Sequence, residues 1–147
     1  VEDRDARAVA GCRDEATELL RRVNLDAAVL DKYPAELSGG MRKRVGVARA
    51  IASRPRYLLY DEPTTGLDPV NASNIDRLIV ELRRDLGVTS IVVTHDLDSA
   101  LQVADRIALL IEGRIHACAA PAEIMASDDP VVRGFMRRGP VDGVAVA

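Results

Sequence analysis

The sequence predicts an α/β fold with a mainly parallel sheet, and two observations support this prediction. Apolar runs at 57–60 and 88–94 are typical of strands of the fully buried kind, and amphipathic helical patterns alternate with them. A parallel connection needs a crossover, so strands that alternate with helices usually form a parallel sheet covered by helices. Ligands of such sheets bind beyond the carboxyl ends of the strands, which makes the residues after each strand the candidate functional ones.

Composition restricts the classes of function. The 147 residues are 48% hydrophobic and 3% aromatic, as in a globular domain with an aliphatic core, and the net charge is -3. That charge gives no electrostatic reason to expect nucleic acid as a partner. Cys12 and Cys118 have neither a metal-ligand nor a redox spacing. No run approaches the roughly 18 apolar residues that a membrane-spanning helix needs.

Helices are predicted before the first strand. Apolar residues recur at helical spacing over 14–23, and a second helix is predicted over 38–53, with Pro55 ending it. Residues 24–33 between them are predicted to form a short helix and a loop, closed by Pro34. The strand at 57–60 follows directly.

After the first strand, local signals predict each element. Asp68 and Pro69 suit the N-cap and first position of a helix that Gly87 ends, with a core face formed by Ile75, Leu78, Ile79 and Leu82. Asp96 is the predicted cap of a helix over 97–104. Strands at 107–111 and 114–118 flank Glu112-Gly113 and predict a hairpin. Pro121 and Pro130 each begin a short helix, and residues 139–147 are expected to be frayed.

Two carboxylates, Asp61 and Glu62, stand at the end of the first strand. A hard cation such as Mg²⁺ would hold one of them, and the other could orient or deprotonate a water molecule. The alternative is a solvated loop start, where acidic residues are common.

Two other positions suit phosphate binding. His95 follows the second strand and could hydrogen-bond a phosphate oxygen, although a lone surface histidine is the commoner case. Ser38, Gly39 and Gly40 begin a helix, where free N–H groups and the helix dipole favour an anion. An ordinary N-cap is the alternative there.

Taken in order, these motifs resemble those of the ABC ATPases over about residues 16–118. The matching segments are Leu37-Ser38-Gly39-Gly40-Met41 (signature motif), Tyr57 to Asp61 (Walker B strand) with Glu62 (catalytic glutamate), Gly66-Leu67-Asp68-Pro69 (D-loop) and His95 (switch histidine). The resemblance implies the C-terminal half of a P-loop NTPase domain with part of the helical subdomain. Residues 1–53 would be the end of that subdomain with the signature helix, 54–120 half of the catalytic core, and 121–147 the C-terminal helices and tail.

The resemblance also implies the roles of the residues. Two such ATPase domains pair head to tail around two ATP molecules. Asp61 would hold Mg²⁺ through water, Glu62 would polarise the attacking water, and His95 would contact the γ-phosphate. The partner's ATP would be reached by Ser38, Gly39 and Gly40, while Asp68 would couple the two sites. Permease subunits would attach the protein to the inner, cytoplasmic face of the membrane.

One departure concerns the phosphate-binding loop. A Walker A loop ends in Gly-Lys-Ser or Gly-Lys-Thr, yet the only lysines, Lys32 and Lys43, follow Asp31 and Arg42. The sequence therefore predicts an N-terminally truncated domain that does not bind ATP competently by itself. Exposed apolar sheet surface would then make the isolated chain marginally stable or prone to association.

Three functions remain open on these grounds. The first is the ATP-binding subunit of a bacterial ABC transporter. Residues 127–136 and Asp142-Gly143 resemble the tail of the lipid-trafficking (Mla/Mce-type) branch. Solute importers that also carry Met41 are the competing interpretation. A purely structural explanation of the same tail is a capped helix, with Asp129 as N-cap and Phe135 packed on the domain. The second is a soluble ABC-type ATPase outside transport. The third is a non-catalytic module that acts in trans on a complete ATPase.

Overall fold

The computed structural model describes residues 2–138 and 145–146 and divides the chain into two compact units, residues 1–56 and 57–147. The first unit is helical and the second contains the strands. The predicted division into the end of a helical subdomain (1–53), half of a catalytic core (54–120) and the C-terminal helices and tail (121–147) stays a prediction.

The first unit consists of two α-helices joined by two 3-10 turns. Helix α1 spans Glu2–Arg22, the 3-10 turns span Ala27–Asp31 and Pro34–Glu36, and α2 spans Gly39–Ile51. The helix predicted from residue 14 is confirmed but begins earlier. The Arg44 guanidinium donates to the carbonyl of Val23 at 3.2 Å and so ties α2 to the end of α1. The apolar interior of the unit includes Leu20, Val23, Ala48 and Ile51.

The second unit opens with a β-α-β crossover. Strand β1 spans Tyr57–Asp61, helix α3 spans Pro69–Leu86, and strand β2 spans Thr89–Val93. The two strands pair in parallel with Tyr57 opposite Thr89 and Asp61 opposite Val93. This pairing is possible because α3 carries the chain back to the start of the sheet. The carboxyl ends of β1 and β2 consequently lie side by side.

The caps and core face of α3 are those that the sequence predicts. The Asp68 carboxylate accepts from the backbone N–H groups of Val70 and Asn71, and Gly87 ends the helix in the left-handed region with φ 64. All four predicted core residues are buried: Ile75, Leu78, Ile79 and Leu82. Helix α4 spans Leu97–Val103, and Asp96 caps it as predicted through the N–H groups of Asp98 and Ser99.

An antiparallel sheet with two helices completes the second unit. Strands β3 (Ile107–Ile111) and β4 (Arg114–Ala119) form the predicted hairpin. Glu112 and Gly113 adopt φ 49 and φ 74, the positive values that a tight hairpin turn requires. Helices α5 (Pro121–Met125) and α6 (Pro130–Arg138) begin at the predicted prolines. Apolar side chains of α4, α5 and α6 pack with β3 in one core cluster: Ala100, Ile107, Leu109, Ile124, Val132 and Phe135.

The structure corrects three details of the sequence-based fold. The α/β class holds, but among the strands of the described residues only β1 and β2 pair in parallel, and the two-residue connection between β3 and β4 forces an antiparallel pair. Residues 139–144 and 147, expected to be frayed, lie outside the described residues. Ala145–Val146, also expected to be frayed, instead forms strand β5, which pairs with Leu109 and Leu110 of β3.

The third correction concerns the first two strands, which are not buried on both faces. In β1, Leu58 and Tyr60 are buried, whereas Leu59 is 77% exposed. In β2, Ile91 is 48% exposed. Successive side chains of a strand point to opposite faces, and Tyr57, Leu59 and the paired Ile91, which share one face of the sheet, are all exposed.

This exposed apolar face predicts association of the isolated chain. We expect size-exclusion chromatography at increasing concentration to show species larger than a monomer. Leu59→Thr combined with Ile91→Thr should shift the distribution toward the monomer, because threonine keeps the strand propensity and removes apolar surface. The control is Val70→Thr, which alters an exposed apolar side chain on α3 instead. A monodisperse monomer at all concentrations would contradict the prediction.

Candidate functional site

The parallel register brings two of the predicted catalytic residues together. Asp61 pairs with Val93 at the ends of β1 and β2, and the N–H of Glu62 donates to the Val93 carbonyl at 2.9 Å. The strand alignment therefore continues one residue beyond β1. Glu62 follows β1 directly and His95 lies two residues after the end of β2, so their side chains share one edge of the sheet.

The carboxylate of Glu62 is held at both oxygens. His95 Nδ1 lies 2.8 Å from Oε1, and the Thr65 hydroxyl donates to Oε2 at 2.8 Å. The backbone of Glu62 adopts φ 47, a left-handed conformation that disfavours a non-glycine residue. Such a conformation persists only where surrounding contacts impose it, and it is more frequent at functional sites. Geometry and backbone together single out Glu62 as the centre of this site.

The contact between Glu62 and His95 favours the charged form of both side chains. Partial burial raises the pKa of Glu62, but the hydrogen bonds from His95 and Thr65 outweigh it and hold that pKa below its usual value. The hydrogen bond to the Glu62 carboxylate and its negative charge raise the pKa of His95. The site therefore favours an imidazolium beside an ionised carboxylate, and it keeps Glu62 deprotonated and able to accept a proton.

A pH dependence of stability follows from these directions. The raised pKa of His95 stabilises the fold below the usual value of 6.5, and this contribution is lost as pH rises through the folded-state pKa. The lowered pKa of Glu62 stabilises the fold above the usual value of 4.5, and this contribution is lost as pH falls through its folded-state pKa. The pair should therefore contribute most between those two usual values.

Urea denaturation of Glu62→Gln measures this contribution. We expect a loss of stability near pH 5.5 and a smaller loss near pH 9, where the imidazole is neutral. Because His95 is 55% exposed and Glu62 34% exposed, the loss should stay below about 1 kcal/mol. Glu112→Gln, at an exposed glutamate with a similar φ of 49, is the control and should show no such pH difference. An equal loss for Glu62→Gln at both pH values would contradict the prediction.

Asp61 is placed where a magnesium ligand could act. Its carboxylate is exposed at the carboxyl end of β1, next to Glu62. Within the described residues no group of three or more acidic, histidine or cysteine side chains could enclose a metal ion. A single carboxylate still fits Mg²⁺, which keeps several of its waters and binds proteins through one or two carboxylates together with substrate phosphates.

The carboxylate of Asp68 is hydrogen-bonded to the first residues of α3. Its Oδ1 accepts from the N–H groups of Val70 and Asn71 at 3.1 Å each, and the Asn71 side chain donates to Oδ2 at 2.6 Å. The hydrogen bond from the Asn71 side chain and those from the backbone lower the pKa of Asp68. The carboxylate is thus ionised and fixed at the start of α3, while the predicted coupling between two nucleotide sites stays a prediction.

The candidate signature residues lie in the first unit. Ser38 is the N-cap of α2, and its hydroxyl accepts from the N–H of Met41 at 3.2 Å. Gly39 and Gly40 form the first turn of that helix. The ordinary capping role considered for Ser38 is therefore present. Contact of these residues with a phosphate stays a prediction.

Sequence reasoning missed Thr65 as a member of the site. Its hydroxyl fixes one oxygen of Glu62, and its N–H lies 3.4 Å from the Glu62 carbonyl in the turn that follows β1. The available signal was the spacing, because a hydroxyl three residues after a carboxylate in a turn is within reach of it. The direct contact between Glu62 and His95 had no local signal.

Known proteins resemble this chain along most of its length. Residues 2–65 match the sequence family described as "ABC transporter". The osmoprotectant import ATP-binding protein OsmV of Salmonella typhimurium is 45% identical over 118 residues, which are 80% of this chain and 31% of that protein. The methionine import ATP-binding protein MetN of Caulobacter vibrioides is 43% identical over 142 residues, which are 95% of this chain and 42% of that protein.

Solved structures give the same result for the fold. CbiO1 of Clostridium perfringens, part of the ABC transporter complex CbiONQ, superposes with a TM-score of 0.66 at 35% identity and covers 86% of this chain and 49% of its own. An ATP-binding cassette of an ABC transporter in its ADP conformation superposes with a TM-score of 0.74 at 28% identity, over 85% of this chain and 49% of its own.

The chain therefore spans less than half the length of these relatives. Neither importer is named for lipids, so the names do not support the lipid branch that the tail resembles. Among the described residues, none of the helices has the length and apolar character to cross a membrane. The chain has the α/β fold of ABC ATPase domains and is homologous to the ATP-binding subunits of ABC transporters.

Proposed function

We propose that this chain is part of an ABC transporter ATP-binding protein that couples ATP hydrolysis to transport. The observation that carries the proposal is the hydrogen bond between Glu62 and His95 at the adjacent ends of two parallel strands. The similarity to import ATP-binding proteins supports it. Activity requires a phosphate-binding loop, and these 147 residues contain no Gly-Lys-Ser or Gly-Lys-Thr sequence.

In the proposed reaction a water molecule attacks the γ-phosphate of ATP and ADP leaves. Glu62, ionised and fixed at both oxygens, orients that water and accepts its proton at a carboxylate oxygen. His95, whose pKa Glu62 raises, donates a hydrogen bond to a γ-phosphate oxygen when its ring is protonated. Asp61 would hold Mg²⁺ through water, and the ion would neutralise charge on the phosphates. The protein contributes mainly positioning and electrostatic stabilisation.

A second ATPase subunit and membrane permease subunits are the proposed partners. Ser38, Gly39 and Gly40 would contact the γ-phosphate of ATP bound to the second subunit, because free N–H groups at the start of α2 attract an anion. Asp68 at the start of α3 would connect the two nucleotide sites. The permease partners would hold the protein at the inner, cytoplasmic face of the membrane.

We propose a small solute as the cargo. Osmoprotectants and methionine are named for two relatives that match at least 80% of this chain. The tail that resembles the lipid-trafficking branch forms, over residues 130–138, a capped helix: Asp129 accepts from the N–H groups of Val131 and Val132, and Phe135 is buried. These features describe a packed structural element, and Asp142-Gly143 lies outside the described residues. Co-purification of this protein with a solute permease, rather than with lipid-transfer partners, is the expected result.

Nucleotide binding tests the proposal directly. A loop-supplemented protein is defined here as this chain preceded by the Walker A-bearing segment of a related ABC ATPase. We expect it to bind a fluorescent ATP analogue saturably in the presence of Mg²⁺, measured by anisotropy, and to hydrolyse ATP. Asp61→Asn should weaken the Mg²⁺-dependent binding, because it removes the negative charge next to the ion. Asp128→Asn, at a fully exposed carboxylate on another part of the surface, is the control.

The chain alone should give no saturable binding in the same titration, since it contains no phosphate-binding loop sequence. If the loop-supplemented protein binds the analogue equally well with Asp61→Asn, the proposed role of Asp61 is wrong. If that protein folds but neither binds nor hydrolyses ATP, the proposed function as a whole is wrong.

A further inference from the structure

One buried carboxyl group has no part in the proposed chemistry. Asp76 lies on α3 and is only 4% exposed, an unusual environment for an acidic side chain. Its Oδ1 accepts a hydrogen bond of 2.5 Å from the hydroxyl of Ser99, which is itself 3% exposed. Burial raises the pKa of Asp76; the hydrogen bond from Ser99 opposes this shift and the nearby charge of Asp96 adds to it, so the pKa stays above its usual value. A polar pair kept at this depth calls for a structural or functional reason.

The partner of Asp76 stands in the first turn of α4, close to His95. Ser99 also donates its backbone N–H to Asp96 Oδ1 at 3.2 Å. The N–H of Asp96 in turn donates to the hydroxyl of Thr94 at 3.1 Å, and Thr94 is 1% exposed. The residues on both sides of His95 are therefore held by hydrogen bonds that lead to buried groups.

The imidazole of His95, in contrast, projects into solvent. Its side chain is 55% exposed, and the contact that the structure describes for its ring is the one from Nδ1 to Glu62 Oε1. An exposed imidazole keeps one orientation only if its backbone is fixed. The start of α4 is fixed by Thr94, by Asp96 and, across to α3, by the bond between Ser99 and Asp76.

We propose that Asp76 and Ser99 are positioning residues, which hold the start of α4 so that Nδ1 of His95 faces the carboxylate of Glu62. The pair links α3, whose N-cap is the candidate D-loop residue Asp68, to α4, whose N-cap Asp96 follows His95. Its importance for ATP hydrolysis rests on the proposed function. The contact between His95 and Glu62 does not, so it can be measured in this chain without nucleotide.

A role in helix packing alone is the competing explanation. Helices α3 and α4 also approach each other at other positions, so loss of the polar pair could change stability without moving His95. The readout must therefore report on the His95 ring. Imidazole ¹⁵N chemical shifts, recorded at fixed pH, distinguish which ring nitrogen carries a hydrogen bond to a carboxylate. The chain contains a built-in control, because its other histidine, His116, bonds Asp129 through Nε2 at 3.1 Å on a different part of the second unit.

The experiment compares Ser99→Ala with Ser99→Thr, which retains a hydroxyl that can donate to Asp76. Glu62→Gln provides the reference spectrum of His95 without its ionised partner. We expect Ser99→Ala to move the Nδ1 shift of His95 more than half of the way to that reference, and Ser99→Thr to leave it near the wild-type value. The shifts of His116 should stay the same in all variants.

Asp76→Leu provides a second disruption that keeps the branching of the side chain and removes both carboxylate oxygens, and we expect it to have the same effect as Ser99→Ala. Circular dichroism and urea denaturation show whether each variant is folded. If the His95 shifts in the folded Ser99→Ala and Asp76→Leu variants remain those of the wild type, the pair is structural only and the proposal is overturned. A loop-supplemented protein that fails to hydrolyse ATP would overturn the proposed function and leave this result unaffected.

Discussion

Glu62→Gln in the loop-supplemented protein is expected to reduce ATP turnover by about 100-fold or more, because general-base residues typically contribute factors of that order. Glutamine has nearly the same shape, but its amide has one acceptor oxygen and so keeps only one of the two hydrogen bonds that Thr65 and His95 make to Glu62. It has no negative charge, however, and cannot take a proton from the attacking water. Nucleotide should therefore stay bound but unhydrolysed. Phosphate release under saturating ATP measures turnover, and retention of labelled ATP after gel filtration measures trapping.

Glu112→Gln is the matched control for this experiment. Glu112 is an exposed glutamate in the β3–β4 turn, and its φ of 49 is close to the φ of 47 at Glu62. An effect of replacing any glutamate in a left-handed conformation would appear in both variants. We expect Glu112→Gln to retain full turnover. If Glu62→Gln retains more than a few per cent of the activity, Glu62 is not the residue that activates water.

Leu109→Ala is expected to lower the free energy of unfolding by about 2–5 kcal/mol. Leu109 is 0% exposed and lies in the middle strand of the β4-β3-β5 sheet. It belongs to the cluster that α4, α5 and α6 form on this sheet. Truncation removes buried methyl groups and leaves a cavity that regular strands and helices close only in part. Since the total stability of such domains is about 5–15 kcal/mol, the loss is a large fraction of it.

Urea denaturation followed by circular dichroism measures this effect. Ile115→Ala is the control, because Ile115 lies on the neighbouring strand β4 but is 66% exposed. We expect that substitution to change stability by no more than about 0.5 kcal/mol. Equal midpoints for the two variants would show that the cluster around Leu109 does not stabilise the second unit. Both curves are recorded at low protein concentration so that association of the chain does not contribute to the measured stability.

Local signals in the sequence were sufficient for most of the helices and for the hairpin. Asp68 and Asp96 cap their helices through N–H groups two and three residues further on, and Gly87 ends α3 in a left-handed conformation. The β3–β4 turn likewise depends on the backbone conformations of Glu112 and Gly113 themselves. Such contacts involve residues within a few positions of one another, so both partners can be recognised in the same short segment of sequence.

Burial of the strands was not predicted correctly, for a physical reason. Leu58 and Leu59 are the same residue type in consecutive positions, yet the first is buried and the second is 77% exposed. An apolar side chain is buried only if another element covers its face of the sheet. The sequence of the strand indicates a preference for burial, but the covering element lies elsewhere in the fold.

Sequence alone determined the ABC ATPase resemblance, the order of the elements and the identity of Glu62 and His95 as candidate residues, because motifs and caps are written in consecutive positions. Only the tertiary structure decided that these two side chains contact each other, that Thr65 fixes the carboxylate, and that Asp76 reaches Ser99. The Glu62–His95 contact depends on the register of two strands separated by a whole helix. The Asp76–Ser99 contact depends on how α3 packs against α4. Pairings of this kind are set by the packing of the whole unit, which no short segment encodes by itself.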